Sequence, residues 1–478
     1  MEHSTGVAPG PQGGGLPCGH ISLPSRMPGF EQTGPCREAT REVNMGTRAE
    51  PRARVVPLVV VPGATLSPPP AACPRCGAPT RRNGSTRCRL AHLPLGGSWV
   101  AVEVERTRSR CPSCGASASA PAPFKAEGHM MTSALLAFCE GLLSRGLRLK
   151  EVALATGLCA QTVKEVDRAR LERLYTAEGG GGRRRLARPD AQARLLGVDE
   201  FKLHDGHRYA TVVVDLESGH VLWLARGKRK RCLLDFFDHV GGEWMAGVEA
   251  VACDMNSDYE EAFRDRFPHV AVVYDRFHIV KNLNDKVISE VRKDVQRELL
   301  EAGDREGARR LKRTKYLLMA GSSTRRGWEA REGAPAPSEK PPALFSGEPR
   351  PRRRAGAASA ARYRELVASN ELFLVADMVK DALELAYSMS DGAEMGALVG
   401  DVCWLCRETG NRHFEWFARL LEGHAAGIVA HARFPISSGR VEGTNNMIKT
   451  VRRQAYGLPD DEYFFLKIID ASHRKDRW

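Results

Sequence analysis

Apolar and polar positions alternate in different ways along the chain, and the changes mark out its elements. "RLLGVDEFK" (194–202), "YATVVVDLE" (209–217) and "HVLWLARG" (220–227) are rich in β-branched and apolar residues and predict three strands, the last two joined at "SG". "RCLLDFFDHV" (231–240) and "DYEEAFRDRF" (258–267) have helical spacing, whereas "VEAVACDMN" (248–256) and "HVAVVYDRF" (269–277) read as buried strands. Three antiparallel strands followed by strands alternating with helices predict a mixed α/β sheet. The pattern is then helical to about residue 430, broken by a Pro/Arg/Gly-rich stretch at 322–357 that reads as an exposed loop. A final helix is expected over 438–453, capped by Ser437 or Ser438.

Upstream of the sheet, "LRLKEVALATGLCAQTVKEVDRARLERL" (147–174) predicts a helix, a turn at Gly157 and a second amphipathic helix from about Ala160. That is a helix-turn-helix pattern, which also arises by chance in helical bundles. The glycine-arginine stretch 177–190 marks a domain boundary. Residues 1–70, rich in Gly, Pro, Arg and Ser with little periodicity, are expected to be disordered, and Met45 offers a second start. The resulting division is an extension (1–70), a cysteine-bearing segment (71–125), the helical pair (126–176), a linker (177–190) and the α/β domain (191–478), with helices inserted at about 280–432.

Charge adds a partner. With 71 Lys+Arg against 58 Asp+Glu the chain carries +13, and part of the excess lies in the runs 227–231, 309–313 and 349–354. Singly, such runs read as solvated faces; together they favour a polyanion, since Lys/Arg contacts to phosphate release counterions. No apolar run approaches the ~20 residues that span a bilayer. "VVPLVVVPGA" (55–64) is short, proline-broken and too far along to be a signal peptide. Thirteen cysteines, four of them in two CxxC pairs, suit a reducing compartment and metal better than a disulfide framework, so the expected location is cytoplasmic.

The chemistry lies in two constellations. "CPRCG" (73–77) and "CPSCG" (111–115) place Cys73, Cys76, Cys111 and Cys114 on two Gly/Pro knuckles, the soft tetrahedral set zinc prefers, with 34 residues between the pairs for a hairpin. Cys88 and His92 read as bystanders. Asp199 and Asp254 each end an apolar run, where strands leave a sheet and α/β sites form. Either aspartate alone is equally a strand-end cap. Between Gly423 and Pro459 the sole acid is Glu442, among five Lys or Arg. On a helix, Val441, Ile448 and Val451 form an apolar stripe, and Glu442, Asn445, Asn446 and Lys449 an adjoining polar face. Docking that stripe on the sheet brings a third carboxylate to the aspartates, an oxygen set for two Mg²⁺ (or Mn²⁺), with Lys449, Arg452 and Arg453 left for DNA. An exposed, salt-bridging glutamate is the alternative. Asp275 and His278, in "YDRFH" (274–278), read either as contacts to a scissile strand or metal ligand, or as a cap and a packed histidine.

"LLGVDEFKLHDGHRYATVVVDLESGHVLW", "VACDMNSDYEEAFRDRFPHVAVVYDRFHIVKNLND" and "SSGRVEGTNNMIKTVRRQAYGLPDDEYFFLKI" resemble the three blocks of the insertion-sequence transposases of the ISL-three type. "CPRCG…HLPLGG…RSRCPSCG" resembles that family's zinc-binding domain. The resemblance covers roughly 70–320 and 360–472; the N-terminal extension and 334–357 depart from it. It implies a ribonuclease-H-like catalytic domain with a DDE triad at Asp199, Asp254 and Glu442, and a helical insertion filling the 188 positions from Asp254 to Glu442. The implied activity is metal-dependent cleavage and strand transfer at terminal inverted repeats, read by the zinc ribbon and the second helix (Gln161, Thr162, Lys164), in a homo-oligomer. The rivals are a non-catalytic zinc/helix-turn-helix DNA-binding protein and a nuclease that cuts without joining.

Overall fold

The computed structural model describes residues 27–44, 53–179, 184–255, 257–330, 355–437, 439–454 and 460–474. The chain divides into two compact units, Met1–Ala187 with Thr450–Trp478, and Arg188–Lys449. Among the described residues no helix is long and apolar enough to cross a membrane.

The first unit opens with β1 (Phe30–Gln32), β2 (Arg37–Asn44), β3 (Ala53–Thr65), β4 (Arg81–Leu95), β5 (Ser98–Arg110) and β6 (Ser117–Ser119), which form one sheet. The expected disorder over 1–70 therefore fails for 27–44 and 53–65; residues 1–26 and 45–52 lie outside the described set. The physical reason is the apolar run itself. Val59, Val60 and Val61 are buried, and β3 pairs in parallel with β5 from Leu58↔Trp99 to Ala64↔Glu105 despite Pro57 and Pro62. β4 and β5 are the hairpin expected between the cysteine knuckles.

Helices α1 (Ser133–Ser144), α2 (Leu149–Thr156) and α3 (Ala160–Tyr175) follow. Gly157 turns α2 into α3 at φ 74°, a left-handed conformation that glycine adopts at little cost. The Trp99 ring closes over this turn: a Cβ on Gly157 would lie 2.8 Å from it, and the indole N–H donates to Leu154 O (3.0 Å).

A short pair, β7 (Thr176–Glu178) and β8 (Arg184–Leu186), leads to the second unit. There β9 (Leu195–His204), β10 (Arg208–Asp215) and β11 (Val221–Arg226) precede α4 (Lys230–Val240), α5 (Gly242–Ala246), β12 (Ala250–Cys253), α6 (Ser257–Arg266) and β13 (Ala271–Tyr274). Sheet order is β11-β10-β9-β12-β13, antiparallel across the first three and parallel across the last three, the mixed sheet that the pattern predicts.

Ten helical segments continue the unit: α7 (Arg276–Asn282), a π-helical turn (Leu283–Ile288), α8 (Ser289–Glu301), α9 (Arg305–Arg310), α10 (Lys315–Leu318), α11 (Ser322–Glu329), α12 (Ala355–Ala368), α13 (Glu371–Ala386), α14 (Gly392–Glu408) and α15 (Arg412–Gly423). α16 (Ala425–Arg433) closes the insertion before α17 (Gly439–Gln454) and α18 (Asp461–Ser472). The loop expected over 322–357 is helical where α11 lies and again from Ala355, where α12 begins; 331–354 are outside the described residues. Arg325 anchors α11 by ion-pairing with Asp377 (2.5 Å) and with Asp381, which a polar-looking sequence conceals.

The expected domain 191–478 spans both compact units, since residues 450–478 group with the first. Buried charge explains it. Arg170, on α3, donates to Asp167 (2.9 Å) and to Asp470 of α18 (3.0 Å), while Asp167 also accepts from Tyr463 Oη (2.7 Å) and Lys467 Nζ (2.7 Å). Asp167 and Asp470 are fully buried, so Arg170→Ala takes a cation from both, leaves Asp167 to Tyr463 and Lys467 and Asp470 to Tyr175 and Arg474, and lowers unfolding stability by about 2–4 kcal/mol. Arg168→Ala, at the part-exposed pair with Asp460, costs at most about 1 kcal/mol. Thermal denaturation of the two variants checks the contrast; equal losses would contradict it.

Candidate active site

The last paired positions of β9 and β12 are Gly197↔Ala252. Asp199 and Asp254 stand two residues beyond them, so in-register parallel strands carry both carboxylates to the same edge of the sheet on the same face. α17 lies over that face. Its Val441 packs above Gly197 and its Asn445 Nδ2 donates to Asp199 Oδ2 (2.7 Å). Four residues of helix rise about 6 Å and two of strand about 6.6 Å, so a helix running along the strand matches both contacts.

Gly197 makes the approach feasible. A Cβ there would fall 2.4 Å from Val441 Cγ2 and 2.8 Å from Leu216 Cδ2. Gly197→Ala is therefore expected to destabilise the unit by about 1–3 kcal/mol and to lift Asn445 away from Asp199. A lower melting midpoint together with lost activity is the expected outcome, and an unchanged midpoint would refute the close packing.

Burial raises the Asp199 carboxyl above the usual range, opposed by the Glu200 amide and by His278, and reinforced by the nearby Asp254 charge. Asp254 accepts from the Met255 amide (2.6 Å) and lies 3.2 Å from His278 Nδ1. Asn445 Oδ1 is buried without a hydrogen-bond partner. Two acids, a histidine and an amide thus converge.

Glu442 does not join them. It is exposed, one helical turn before Asn445, and the three acids do not gather their oxygens within 4.8 Å of one another. Among the other expected site residues, Asp275 N-caps α7, accepting from Phe277 N (2.9 Å), and Asn446 accepts from Lys449 (3.5 Å).

Cys73, Cys76, Cys111 and Cys114 bring their sulfurs within 4.8 Å of one another. Cys73–Cys114, Cys76–Cys111 and Cys76–Cys114 are 3.6, 3.5 and 3.4 Å apart, close to the ~3.8 Å edge of a tetrahedron with 2.3 Å zinc–sulfur bonds. The Cys114 amide helps bring Cys111 down to about 6. The Ala78 amide favours the Cys76 thiolate, yet its sulfur neighbours Cys114 and Cys111 push it up to about 12. A dication removes that conflict, so the set fits zinc. Cys88 and His92 stand outside the cluster; His92 is buried against Thr132 Oγ1 (2.9 Å).

The expected DNA contacts are partly engaged. On α3, Gln161 donates to Glu165 (3.0 Å), Thr162 meets Cys159 Sγ (3.0 Å) and Lys164 stacks on the Tyr463 ring (5.5 Å). Arg452 stacks on Phe464 (5.0 Å), while Lys449 and Arg453 are exposed. The basic run 227–231 is paired at home, Lys228 with Glu200 (3.5 Å), Lys230 with Glu261 (3.0 Å) and Arg231 with Asp235 (2.7 Å). The run 349–354 lies outside the described residues. Sequence reasoning missed Gly197, whose signal was a glycine inside a strand, and the Asp167–Arg170–Asp470 network, which left no local signal.

Residues 196–468 match the family described as transposase, of the ISL3-type DDE group, and residues 69–114 match the zinc-finger of transposase IS204/IS1001/IS1096/IS1165. The transposase for insertion sequence element IS1001 of Bordetella parapertussis is 31% identical over 401 residues, 84% of this chain and 88% of that protein. The transposase for insertion sequence element IS1557 of Mycobacterium tuberculosis, found in two strains, is 27% identical over 281 residues, 56% of this chain and 57% of that protein.

Proposed function

The chain belongs to the ISL3-type family of DDE transposases, and on that premise we propose that it binds the terminal inverted repeats of its own insertion sequence, cuts there, and joins the freed end to target DNA. Asp199, Asp254 and Glu442 are the proposed triad on a ribonuclease-H-like sheet. The observation that carries this reading is the in-register placement of Asp199 and Asp254 under the helix that bears Glu442.

The residues fit divalent ions. All proposed donors are hard oxygens, the desolvated Asp199 carboxyl lies beside the Asp254 charge, and Asn445 Oδ1 is an orphaned buried acceptor. Mg²⁺ or Mn²⁺ held there supplies activation of the attacking hydroxyl and neutralisation of the leaving oxygen. The protein's own part is orientation. Asn445 fixes one oxygen of Asp199 and His278 steadies Asp254, while Glu442, exposed one turn before Asn445, has to swing inward to complete the set. No serine or tyrosine nucleophile is required, since water and then the new 3′-hydroxyl attack phosphorus directly.

End recognition falls to the zinc knuckles and to α2–α3 as a helix-turn-helix, with Lys449 and Arg453 on phosphates. Bringing two ends together requires a homo-oligomer. Purified protein incubated with Mg²⁺ or Mn²⁺ and duplex carrying the repeats that flank its gene tests the proposal. Nicks at the repeat boundary and joined products are expected. Specific binding without nicks in either metal would favour the non-catalytic DNA-binding reading, and nicks without joined products a plain nuclease.

A further inference from the structure

A cavity of about 420 Å³ opens where β13 passes into α7, lined by Asp275, Arg276, Phe277, Tyr387 and His431 among others. Its lining suits one kind of occupant. Phe277 is an aromatic ring left 54% exposed on the first turn of a helix, where burial would be expected of so large an apolar group. Tyr387 and His431 meet ring to ring (4.8 Å), and His431 Nδ1 is buried without a hydrogen-bond partner. Arg276 adds a cation, 3.7 Å from Glu384 and nearly half exposed. Faces for stacking, an imidazole in the lining and a cation alongside are what a nucleobase and its 5′ or 3′ phosphate need.

The cavity is joined to the candidate active site by direct contacts. Phe277 touches His278 edge to face (5.4 Å), and His278 Nδ1 is 3.2 Å from Asp254. We propose that this cavity receives one base extruded from the duplex beside the scissile phosphate, stacked on Phe277 with its polar edge toward His431. The inference rests on the reading of Asp199 and Asp254 as the site of phosphodiester cleavage. It adds a specificity element to that reading: unstacking costs least at weak or damaged pairs, so the identity of the base pair at the cut enters the rate.

The test uses the full-length protein, Mg²⁺ and two repeat-end duplexes, one fully paired and one mismatched at the base pair flanking the mapped nick. Phe277→Ala is expected to nick the paired duplex about tenfold more slowly than wild type, the worth of one stacking contact. The mismatched duplex, which needs no unpairing, should restore the variant to within about threefold of wild type. Phe277→Trp, which keeps a stacking face, should retain wild-type rates on both. A Phe277→Ala rate lowered equally on both duplexes, or unchanged on both, overturns the base pocket while leaving the transposase reading intact. Wild-type protein that nicks neither duplex overturns the pocket together with the reading it rests on.

Discussion

Asp199→Asn is expected to abolish nicking at the repeat ends, by about a thousandfold or more, while end binding stays within about twofold of wild type. The magnitude follows from losing an ion ligand whose charge stabilisation is worth several kcal/mol in the transition state. Shape is conserved, and the Asn445 amide can still donate to the remaining carbonyl oxygen. The same variant has a second, opposite signature. Burial first, and then Asp254, raise the Asp199 carboxyl, so ionising it works against the folded state. A carboxyl raised on folding withdraws stability as pH climbs above its unfolded value, about 3.9. Without metal, Asp199→Asn should therefore melt no lower than wild type at neutral pH, since burial is the largest influence on the Asp199 carboxyl. Adding Mg²⁺ should raise the wild-type midpoint only. Melting curves with and without Mg²⁺, beside a nicking assay, check both signatures. A variant that melts well below wild type and no longer binds DNA would make Asp199 a structural carboxylate.

Stripping zinc is the second large effect. With the ion gone, four sulfurs packed 3.4 to 3.6 Å apart at their close pairs lose what reconciles them, and the knuckle backbones lose their anchor. Structural zinc contributes apparent folding free energies of about 10–16 kcal/mol in small zinc modules. Chelation, or Cys111→Ser, is thus expected to expose the amides around residues 73–80 and 108–117 to exchange and to abolish specific end binding. Cys88→Ala should leave both intact, because Cys88 stands outside the cluster. The β9–β13 sheet lies in the other compact unit, so its amides should stay protected. Hydrogen exchange before and after chelation checks this. Undisturbed knuckle protection after metal removal would contradict a structural zinc site.

How far the sequence disclosed this molecule depends on the range over which each signal acts. β9 to β13 were legible because β-branched runs are local, and the two aspartates were legible because each ends such a run. The cysteine knuckles were legible for the same reason. β3 was hidden: Pro57 and Pro62 interrupt its apolar run, and only the long parallel partner β5 turns it into a buried strand. The return of α18 to the first unit was hidden as well. Asp167, Arg170 and Asp470 look like surface residues until they meet across some 300 positions. Asn445 was singled out as a neighbour of Glu442, but its contact with Asp199 follows from Gly197, whose missing side chain admits Val441. The least legible feature is Glu442 itself, whose helix sets Val441 of the expected apolar stripe against Gly197 and whose carboxylate is exposed.

That exposure sets the decisive measurement, a structure of the protein on its repeat-end DNA with Ca²⁺, a non-activating substitute for Mg²⁺. The account predicts an ion shared by Asp199 and Asp254, with a Glu442 oxygen swung to within about 2.6 Å of that ion or its neighbour. An ion at Asp199 and Asp254 with Glu442 still in solvent, or no ion at that sheet edge, would contradict it.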